Sequence, residues 1–434
     1  MDINQKNKTI SFDLTEPNRI NRLNDVFAGQ NIVRFAITES SKKEIKCDYA
    51  ALSENHNNYK NIFDFNPREY VDESKFNAVM IIPTGIGAEM GGDSGDACVV
   101  AKLIGSSVDT LITHPNVVNA ADINEMTPNT LYIEGSILNR FVMGTVGLSK
   151  KRNNRMLLIF DKVETMTKGE PMPDHIRSAT INTASATRIS IGMDIDTLEL
   201  SVPPAYKAFF DDNGMAVGSV INIDSLIDVI EKYKNDYDCF ALHTVVAIDD
   251  PFITEKYFND EIETNPWGGL EGMITHTISN LTNVPTAHAP LLGDGSYDFP
   301  YSIVDPTKAA ETVSSTELFC VLKGLSSSPK IITDLALMQK ENVLTNENIS
   351  CLIIPDRCIG LPVLAALEQG IPVIAVNDGQ NMMKNDLDML PWKPGKFFRA
   401  YSYLEVVGYI NCLKNGIAPH NLTRPIKPTI VLTN

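Results

Sequence analysis

Short apolar runs alternate with longer helical patterns along almost the whole chain, and this alternation limits the fold more than any other feature. The runs that predict strands are Ile32–Ile37, Ala78–Ile82, Thr110–Thr113, Met156–Phe160, Cys239–Ile248, Lys330–Ile332, Cys351–Ile354 and Val373–Val376. The patterns that predict helices are Ala97–Gly105, His175–Ser190, Ser225–Lys234, Leu270–Asn280, Pro306–Leu325, Pro362–Gln369 and Tyr403–Asn415. Strands that alternate with such helices are typical of β-α-β units. We therefore predict an α/β fold of two lobes, with mainly parallel, Rossmann-like sheets and flanking helices.

The chain is longer than one usual domain, so we predict a division into parts. With 434 residues, two or three domains are expected. Residues 201–218 combine two prolines with the turn sequence Asp-Asp-Asn-Gly, which favours a linker or a hairpin. We predict a weakly α/β segment over 1–75, an α/β lobe with a glycine-rich loop over 76–200 and a second α/β lobe over 201–434.

The charge and the cysteines indicate which partners and which compartment to expect. The net charge is −17, from 37 basic and 54 acidic residues, which disfavours nucleic acid and anionic membranes as partners. The chain begins without the apolar stretch of a signal peptide, and no run of about 18 apolar residues could span a membrane. The seven cysteines are odd in number and form no C-x-x-C pair. We expect a cytoplasmic protein with reduced thiols, able to form a homo-oligomer, that acts on a small molecule.

The sequence MIIPTGIGAEMGGDSGDA, residues 80–97, joins an apolar run to a helical pattern through five glycines. Gly85, Gly87 and Gly91 have a spacing similar to that of dinucleotide-binding loops, whose backbone amides bind phosphate. Two observations disagree with a dinucleotide site. The later glycines would interrupt the helix, and the next predicted strand ends at Thr113 and His114 instead of at an acidic residue. A P-loop is excluded, because no Gly-Lys-Ser/Thr follows.

Three carboxylates, Glu89, Asp93 and Asp96, stand in this loop where a bound anion would lie. The phrase GGDSG is similar to loops of NAD kinases and phosphofructokinases, in which the aspartate works beside Mg²⁺. We predict that Asp93 and Asp96 are catalytic or hold Mg²⁺ or another divalent metal. The residues of the loop that we expect to bind substrate are Thr84, Gly85, Gly87, Glu89, Gly91, Gly92 and Ser94. Alternatively, Asp93 or Ser94 only caps the helix, or repulsion among the carboxylates leaves one protonated for proton transfer.

A second polar loop, LITHPNVVNAADINEM at residues 111–126, follows the next predicted strand. His114 precedes a proline, which favours an extended backbone and suits a general base, a general acid or an oriented donor. A buried structural histidine is the alternative. We predict a catalytic role for Asp122 as well, and hydrogen bonds from Asn116 and Asn119 to the substrate. Arg140 follows this loop and could bind an anionic substrate, or it could be an ordinary surface charge.

The C-terminal half carries its own polar cluster, with Glu271, His276, His288, Asp294 and Asp305. Glu271 and His276 are five residues apart and do not share a helix face cleanly, so the H-E-x-x-H pattern of zinc proteases is absent. We predict that His288, Asp294 and Asp305 approach the substrate from the second lobe. A metal site formed by His276, His288 and these aspartates, without a recognised spacing, and a turn-rich surface loop are the alternatives.

The cleanest β-α-β unit of the chain is CLIIPDRCIGLPVLAALEQGIPVIAVND, residues 351–378. Its post-strand Asp356 and helical Glu368 are similar to the donor-sugar half of nucleotide-sugar enzymes. We predict that Asp356 contacts the substrate, although the same residues also serve plain sheet packing.

These patterns together predict an enzyme of small-molecule metabolism. We expect a polar, anionic substrate in a cleft between the lobes, and acid–base chemistry of the isomerase or lyase kind or metal-assisted chemistry. A nucleotide-dependent transferase, an NAD(P)-dependent oxidoreductase and a metabolite-binding protein without catalysis are the alternatives. The possible cofactors are therefore a divalent metal such as Mg²⁺ or a nucleotide.

Four phrases of the chain resemble one bacterial family, the domain of unknown function 3326, which is familiar from cyanobacteria. They are PTGIGAE, LITHPNVVNAADINEM, VSSTELFCVLKGL and IPDRCIGLPVLAALEQGIPVIAV. The resemblance runs from about residue 75 to the C-terminus. It implies kinship alone, because the family brings no reaction, cofactor or catalytic residue.

Overall fold

The structure of the chain is a computed structural model. It describes residues 1–91, 96–162, 174–248, 250, 252–262, 264–292, 303–314 and 316–432.

The helices of these described residues are given first. They are α1 (Arg19–Val26), α2 (Ala97–Gly105), α3 (Pro115–Val118), α4 (Gly135–Val142), α5 (Asp174–Ile191), α6 (Asp224–Tyr233), α7 (Ile253–Phe258), α8 (Gly268–Thr282), α9 (Phe319–Ser326), α10 (Leu335–Met338), α11 (Leu361–Gln369) and α12 (Tyr403–Lys414). Short 3₁₀ helices cover Ala309–Thr312, Asn346–Asn348, Leu387–Met389 and Pro419–Asn421. Within the described ranges, no helix is both long enough and apolar enough to span a membrane.

The strands build two large sheets and two small ones. They are β1 (Ile3–Ser11), β2 (Ile32–Ser40), β3 (Glu44–Leu52), β4 (Asn77–Met80), β5 (Thr110–Thr113), β6 (Asn119–Ala120), β7 (Ile123–Asn124), β8 (Thr130–Tyr132), β9 (Gly147–Ser149), β10 (Arg155–Asp161), β11 (Asp194–Leu200), β12 (Ala205–Phe210), β13 (Ala216–Ile221), β14 (Cys239–Ile248), β15 (Thr286–Leu292), β16 (Lys330–Ile332), β17 (Val343–Leu344), β18 (Ile349–Pro355), β19 (Val373–Val376) and β20 (Phe397–Ala400). The small sheets are β16-β9-β17 and β6-β7.

Six strands in the order β20-β19-β18-β4-β5-β8 form a sheet that is parallel throughout, which we call the parallel sheet. Numbered by their appearance in the chain, these strands stand in the order 3-2-1-4-5-6 when read from β8. Strands β4 and β18 are therefore the central pair, and the chain continues outward from them in opposite directions. Their carboxyl ends form a crevice of the kind in which open parallel sheets bind ligands.

The second large sheet, which we call the mixed sheet, has nine strands in the order β11-β10-β14-β12-β13-β1-β3-β2, with β15 also on β14. The first part of β14 pairs with β10 and β15, whereas its last residues pair with β12. The sheet curls as a result, and α8 packs against β2, β12, β13 and β15 inside the curl. Helix α8 also contacts α4, so it stands between the two sheets.

The α/β class and a parallel sheet are confirmed, but the mixed sheet was not expected. Several predicted elements begin and end at the predicted residues, among them the strands 110–113, 239–248 and 373–376 and the helix 97–105. The unexpected strands are largely the antiparallel ones. In β12, for example, buried and exposed side chains alternate, since one face of the sheet is covered and the other is open. Such strands lack the continuous apolar runs from which a parallel sheet can be predicted.

Both large sheets draw strands from several of the predicted parts of the chain. Residues 3–52 join the mixed sheet beside β13, and residues 349–400 return to the parallel sheet beside β4. The segment 201–218 belongs to the hairpin of β12 and β13, so the hairpin alternative describes it and the linker does not.

The single helix predicted over Pro306–Leu325 is wrong. The structure has a 3₁₀ helix at Ala309–Thr312 and then α9, which begins only at Phe319. Between them the backbone of Glu317 is left-handed, with φ of 47°, which a right-handed helix cannot accommodate. The distant Asp122 accepts hydrogen bonds from the Phe319 N–H at 2.5 Å and from Thr316 Oγ1 at 3.0 Å, and so starts α9 at this point.

The loop after β4 docks the parallel sheet onto the mixed sheet through closely spaced backbones. The Ala216 N–H donates to the Gly85 carbonyl at 2.9 Å, and Gly85 has a φ of 77°. A Cβ atom at Gly85 would lie 2.5 Å from the Ala216 carbonyl oxygen, and one at Gly269 of α8 only 1.7 Å from it. Glycine is therefore required at both positions so that the loop, α8 and β13 can meet.

We predict that Gly85→Ala destabilises the protein more than Gly29→Ala. Gly29 has nearly the same φ, 79°, but nothing lies within 4 Å of its virtual Cβ, so it is a matched control for backbone strain. Both variants should lose about 1 kcal/mol from the left-handed conformation, and Gly85→Ala should lose about 1–3 kcal/mol more through the clash. Urea unfolding gives both values. Equal losses in the two variants would contradict the close contact at Ala216.

Candidate active site

A cavity of about 180 Å³ lies where the carboxyl ends of the parallel sheet meet the mixed sheet. We call it the polar cavity. Its walls are the loops after β4 and β5, the first turns of α8, the end of β15 and part of the stretch 311–321. The titratable side chains that line it, apart from one cysteine, are three histidines and three glutamates, namely His114, His276, His288, Glu271, Glu311 and Glu317.

Some of the residues predicted from the sequence line this cavity, and others of the same loops do not. The lining includes Thr84, Gly91, His114, Asn116, Asn119 and His288. Gly87 lies against Thr264, and the Glu89 carboxylate accepts the Gln380 N–H at 2.8 Å. The Asp96 carboxylate accepts the Gly91 N–H at 2.5 Å and thereby closes the loop on itself. Gly92, Asp93, Ser94 and Asp294 lie outside the described residues.

Four further predicted residues do not line the polar cavity. Asp122 starts α9, as described above, and Asp305 accepts the Thr307 N–H in an exposed turn. Arg140 donates to Asn283 Oδ1 at 2.8 Å, and Asp356 pairs with Arg399 at 3.1 Å. Among the described residues no three His, Cys, Asp or Glu side chains converge as metal ligands. The metal site at Asp93 and Asp96 stays a prediction, because Asp93 lies outside those residues.

His114 is held as a neutral hydrogen-bond donor. It follows β5 with an extended backbone, φ of −124° and ψ of 168°, as predicted from Pro115. The Ile82 N–H donates to its Nε2 at 3.0 Å, so the proton of the neutral ring is on Nδ1. Burial, together with the nearby His276, lowers the pKa of His114 to about 3. Asn116 Nδ2 donates to the Ile82 carbonyl at 2.8 Å. The loop after β5 is therefore bound to the loop after β4 through both backbone groups of Ile82.

Glu271 faces the polar cavity with a histidine behind it. His288 Nδ1 lies 3.0 Å from Glu271 Oε2, and His288 Nε2 lies 2.8 Å from Thr244 Oγ1. His288 is buried, and both of its ring nitrogens are used by these two hydrogen bonds. His288 therefore orients the carboxylate. Of the three side chains Thr244, His288 and Glu271, a ligand can reach Glu271, whose side chain is 23% exposed.

His276 is paired with a buried glutamate, Glu134. Glu134 caps α4 by accepting the Ser136 and Ile137 N–H groups, and its Oε1 lies 3.2 Å from His276 Nε2. Burial lowers the pKa of His276, and the Glu134 charge opposes that effect. The pair fixes the orientation of the imidazole ring at the junction of α4 and α8.

Glu317 also lines the polar cavity, and its surroundings differ from those of Glu271. Burial raises the pKa of its carboxyl group well above the usual range, and the charges of Glu311, Glu271 and Asp122 add to this effect. The protonated form of Glu317 is therefore favoured. Its left-handed backbone, and that of Ala121 with φ of 44°, place two strained residues at one cavity. Such strain is concentrated at functional sites in proteins.

Cys320 also lines the cavity, but its chemistry is that of a core residue. Burial raises the pKa of its thiol well above the usual range, so the reactive thiolate is disfavoured.

The sequence analysis names Glu271 and His276 in a polar cluster but does not predict that they contact the substrate, and it does not single out Glu317. Glu271 and His276 are separated by about 140° on α8, and yet both line the cavity. They stand at the two edges of one wide stripe, since Gly268, Gly272 and Thr275 between them line it as well. Glu317 carries no local signal, because its sequence favours a helix that the structure does not form.

Comparisons with known proteins identify a family and a relative, and neither has a described activity. The family described as "Protein of unknown function (DUF3326)" matches residues 77–423, which include every residue that lines the polar cavity. The chain is similar to an uncharacterized lipoprotein of Synechococcus sp., with 31% identity over 351 residues that cover 80% of this chain and 93% of the relative. No solved structure matches the chain.

The carboxyl group of Asp161, at the end of β10, is buried. Asp161 is 4% exposed, and its Oδ2 accepts the Val245 N–H at 2.9 Å. Its Oδ1 has no hydrogen-bond partner in the part of the chain that the structure describes. Burial raises the pKa of Asp161 to about 7. The native state thus keeps this proton at a pH where the unfolded chain has lost it.

We predict that Asp161→Asn stabilises the protein at pH 8 and leaves it nearly unchanged at pH 4. Because the folded pKa is raised, the stability that natural Asp161 contributes is lost as the pH rises from about 4 to about 7. The gain at pH 8 should reach up to about 4 kcal/mol. Urea unfolding at several pH values measures it, with the exposed Asp228→Asn as control. An unchanged pH dependence in Asp161→Asn would contradict the prediction.

Proposed function

We propose that this chain, which belongs to the DUF3326 family, is an enzyme that transfers protons on a small polar metabolite, as isomerases and lyases do. One observation carries the proposal. The polar cavity holds two carboxyl groups in different environments, Glu271, which is hydrogen-bonded to His288, and the partly buried Glu317, whose pKa is raised by loss of water and by neighbouring negative charges. Titratable groups whose environments differ in this way are suited to act as base and acid in one reaction.

Glu271 is the proposed general base. His288 takes one carboxylate oxygen, and Thr244 in turn holds His288, so that the carboxylate is fixed before a substrate arrives. A base oriented in this way can remove a proton from a carbon next to a carbonyl group. Glu317, which lines the same cavity and whose protonated form is favoured, is the proposed acid that returns a proton.

His114 is the proposed electrophile. A neutral imidazole with a strongly lowered pKa can donate a hydrogen bond to a substrate carbonyl without transferring its proton. Its Nδ1–H is the available donor, because the Ile82 N–H occupies Nε2. The donor stabilises the negative charge that develops on the carbonyl oxygen when Glu271 removes the proton. Of the roles that the sequence predicts for His114, this assignment favours an oriented hydrogen-bond donor over a general base.

The substrate that fits best is uncharged. The sequence predicts an anionic metabolite, but the described lining of the polar cavity contains three glutamates and neither lysine nor arginine. A carboxylate or phosphate placed among these glutamates would lack a cationic partner. We therefore propose a hydroxy-carbonyl compound without net charge as the substrate.

A nucleotide-dependent enzyme is the second candidate, and one observation favours it. The strand order 3-2-1-4-5-6 of the parallel sheet is that of Rossmann-like, dinucleotide-binding folds. The glycine loop weakens this candidate, because Gly85 and Gly87 approach protein atoms where a dinucleotide loop would approach a pyrophosphate. Binding of NAD(P)H or ATP to the purified protein in equilibrium dialysis would support the second candidate.

We also propose a cytoplasmic location. All seven cysteines are buried and unpaired, which agrees with a reducing compartment. The Synechococcus relative is called a lipoprotein, a name that points to a membrane surface for that protein. Fractionation of cells that produce the full chain should place it in the soluble fraction. Recovery with the membranes would contradict this location and leave the proposed chemistry unaffected.

We predict that Glu271→Gln abolishes proton transfer while the protein stays folded. The assay follows deuterium uptake from D₂O into carbon-bound positions of uncharged hydroxy-aldehydes and hydroxy-ketones by NMR. Loss of the base should slow the exchange by about 10²–10⁴-fold, whereas the exposed Glu341→Gln should leave it unchanged. The proposal fails if no compound exchanges with the natural protein, or if Glu271→Gln exchanges at the natural rate.

A further inference from the structure

A second cavity, of about 140 Å³, adjoins the polar cavity. The two cavities share the residues Thr84, His114, Gly272 and His276 in their walls. The second one lies at the carboxyl ends of β4 and β18, the crevice at which the strand order of the parallel sheet reverses. We call it the apolar cavity.

The walls of this cavity are mostly hydrocarbon. The wall is built by β2, β18, α4, the loop after β4 and the segment before the 3₁₀ helix Leu387–Met389. Its apolar side chains include Phe35, Ile81, Ile86, Leu138, Ile354 and Met383. Each of these six is less than 10% exposed. Arg34 also reaches the wall, where its Nη1 lies 3.5 Å from Asp48 Oδ2 and makes no hydrogen bond with the described residues. The other polar side chains of the described lining are Asn139, Cys358 and three residues on the side shared with the polar cavity, Thr84, His114 and His276.

The volume sets the size of an occupant. An enclosed cavity of about 150 Å³ with aliphatic and aromatic walls stays dry and binds benzene. The apolar cavity has a similar volume and walls that are mostly hydrocarbon, and cores rarely leave such a space unfilled, because its walls lack contacts on one side. A six-membered ring or a branched alkyl group of similar volume would fill it.

We propose that the substrate carries an apolar group of about the size of a benzene ring, and that the apolar cavity binds this group while the reacting carbonyl lies in the polar cavity. The inference rests on the proposed function, since it assigns the remaining part of the same substrate. It makes the substrate an aryl-substituted or branched-alkyl hydroxy-carbonyl compound. His114, in the wall between the cavities, would then donate to the carbonyl at the point where the polar and apolar parts join.

Fluorobenzene tests the cavity without any assumption about catalysis. We expect ¹⁹F NMR to show that it binds the natural protein with a dissociation constant in the millimolar range or below. Ala36→Leu adds three carbons to the wall and should weaken binding at least tenfold, whereas the exposed Ala186→Leu should not change it. Because Ala36→Leu could also disturb folding, the ¹³C-methyl resonance of Met383 in the natural protein gives an independent readout. It should shift when fluorobenzene is added.

The outcomes separate this inference from the proposed function. Fluorobenzene should bind Glu271→Gln as well as it binds the natural protein, so binding together with absent proton exchange would reject the proposed chemistry and retain the site. Among compounds that do exchange, those with an aryl or branched alkyl group should have KM values at least tenfold lower than those without one. Ala36→Leu should remove that preference. Absent fluorobenzene binding, an unshifted Met383 methyl, or equal KM values for both kinds of compound would overturn the inference.

Discussion

The backbone contact between Gly85, Ala216 and Gly269 is the constraint on which the candidate site depends. The parallel sheet supplies Thr84 and His114, and α8 supplies Glu271, so neither sheet alone forms the polar cavity. The two parts meet closely enough only because no Cβ atom separates the loop after β4 from β13 and from the start of α8. A loop with the glycine spacing of a phosphate site thus uses its glycines for contact between protein backbones.

The electrostatics of the cavity follow from the same close packing. Charged groups that lose water on burial need partners, and Glu134 and Glu271 each have a histidine. Among the described residues, no opposite charge offsets the burial of His114 or Glu317, and burial therefore favours their neutral forms. The site consequently combines an oriented carboxylate with two neutral donors. That combination suits removal of a proton next to a carbonyl group better than attack by a nucleophile, as the suppressed ionisation of the Cys320 thiol also indicates.

The sequence predicts the parts of this structure whose causes are local. Strand β19 is a continuous apolar run, β5 is an apolar pair between two threonines, and Pro115 sets the backbone of His114, so these features can be predicted from neighbouring residues. The start of α9 cannot, because it depends on Asp122, which lies 197 positions away from Phe319. The position of Glu317 in the cavity wall cannot be predicted either, because it requires that the predicted continuous helix be interrupted at this residue. The five-residue spacing of Glu271 and His276 appears unfavourable until the width of the facing cavity is known.

The two cavities also differ in which part of the chain builds them. All residues that line the polar cavity lie within the family match at residues 77–423. The apolar cavity additionally uses Arg34, Phe35 and Ala36 of β2, which lie before that match. On the proposed assignment, the acid–base groups belong to the family region, and part of the wall that selects the apolar group of the substrate belongs to the first 76 residues. A relative with a different segment at this position would then keep the reaction and change the substrate, because side chains on β2 can alter the volume of the apolar cavity without touching Glu271, Glu317 or His114.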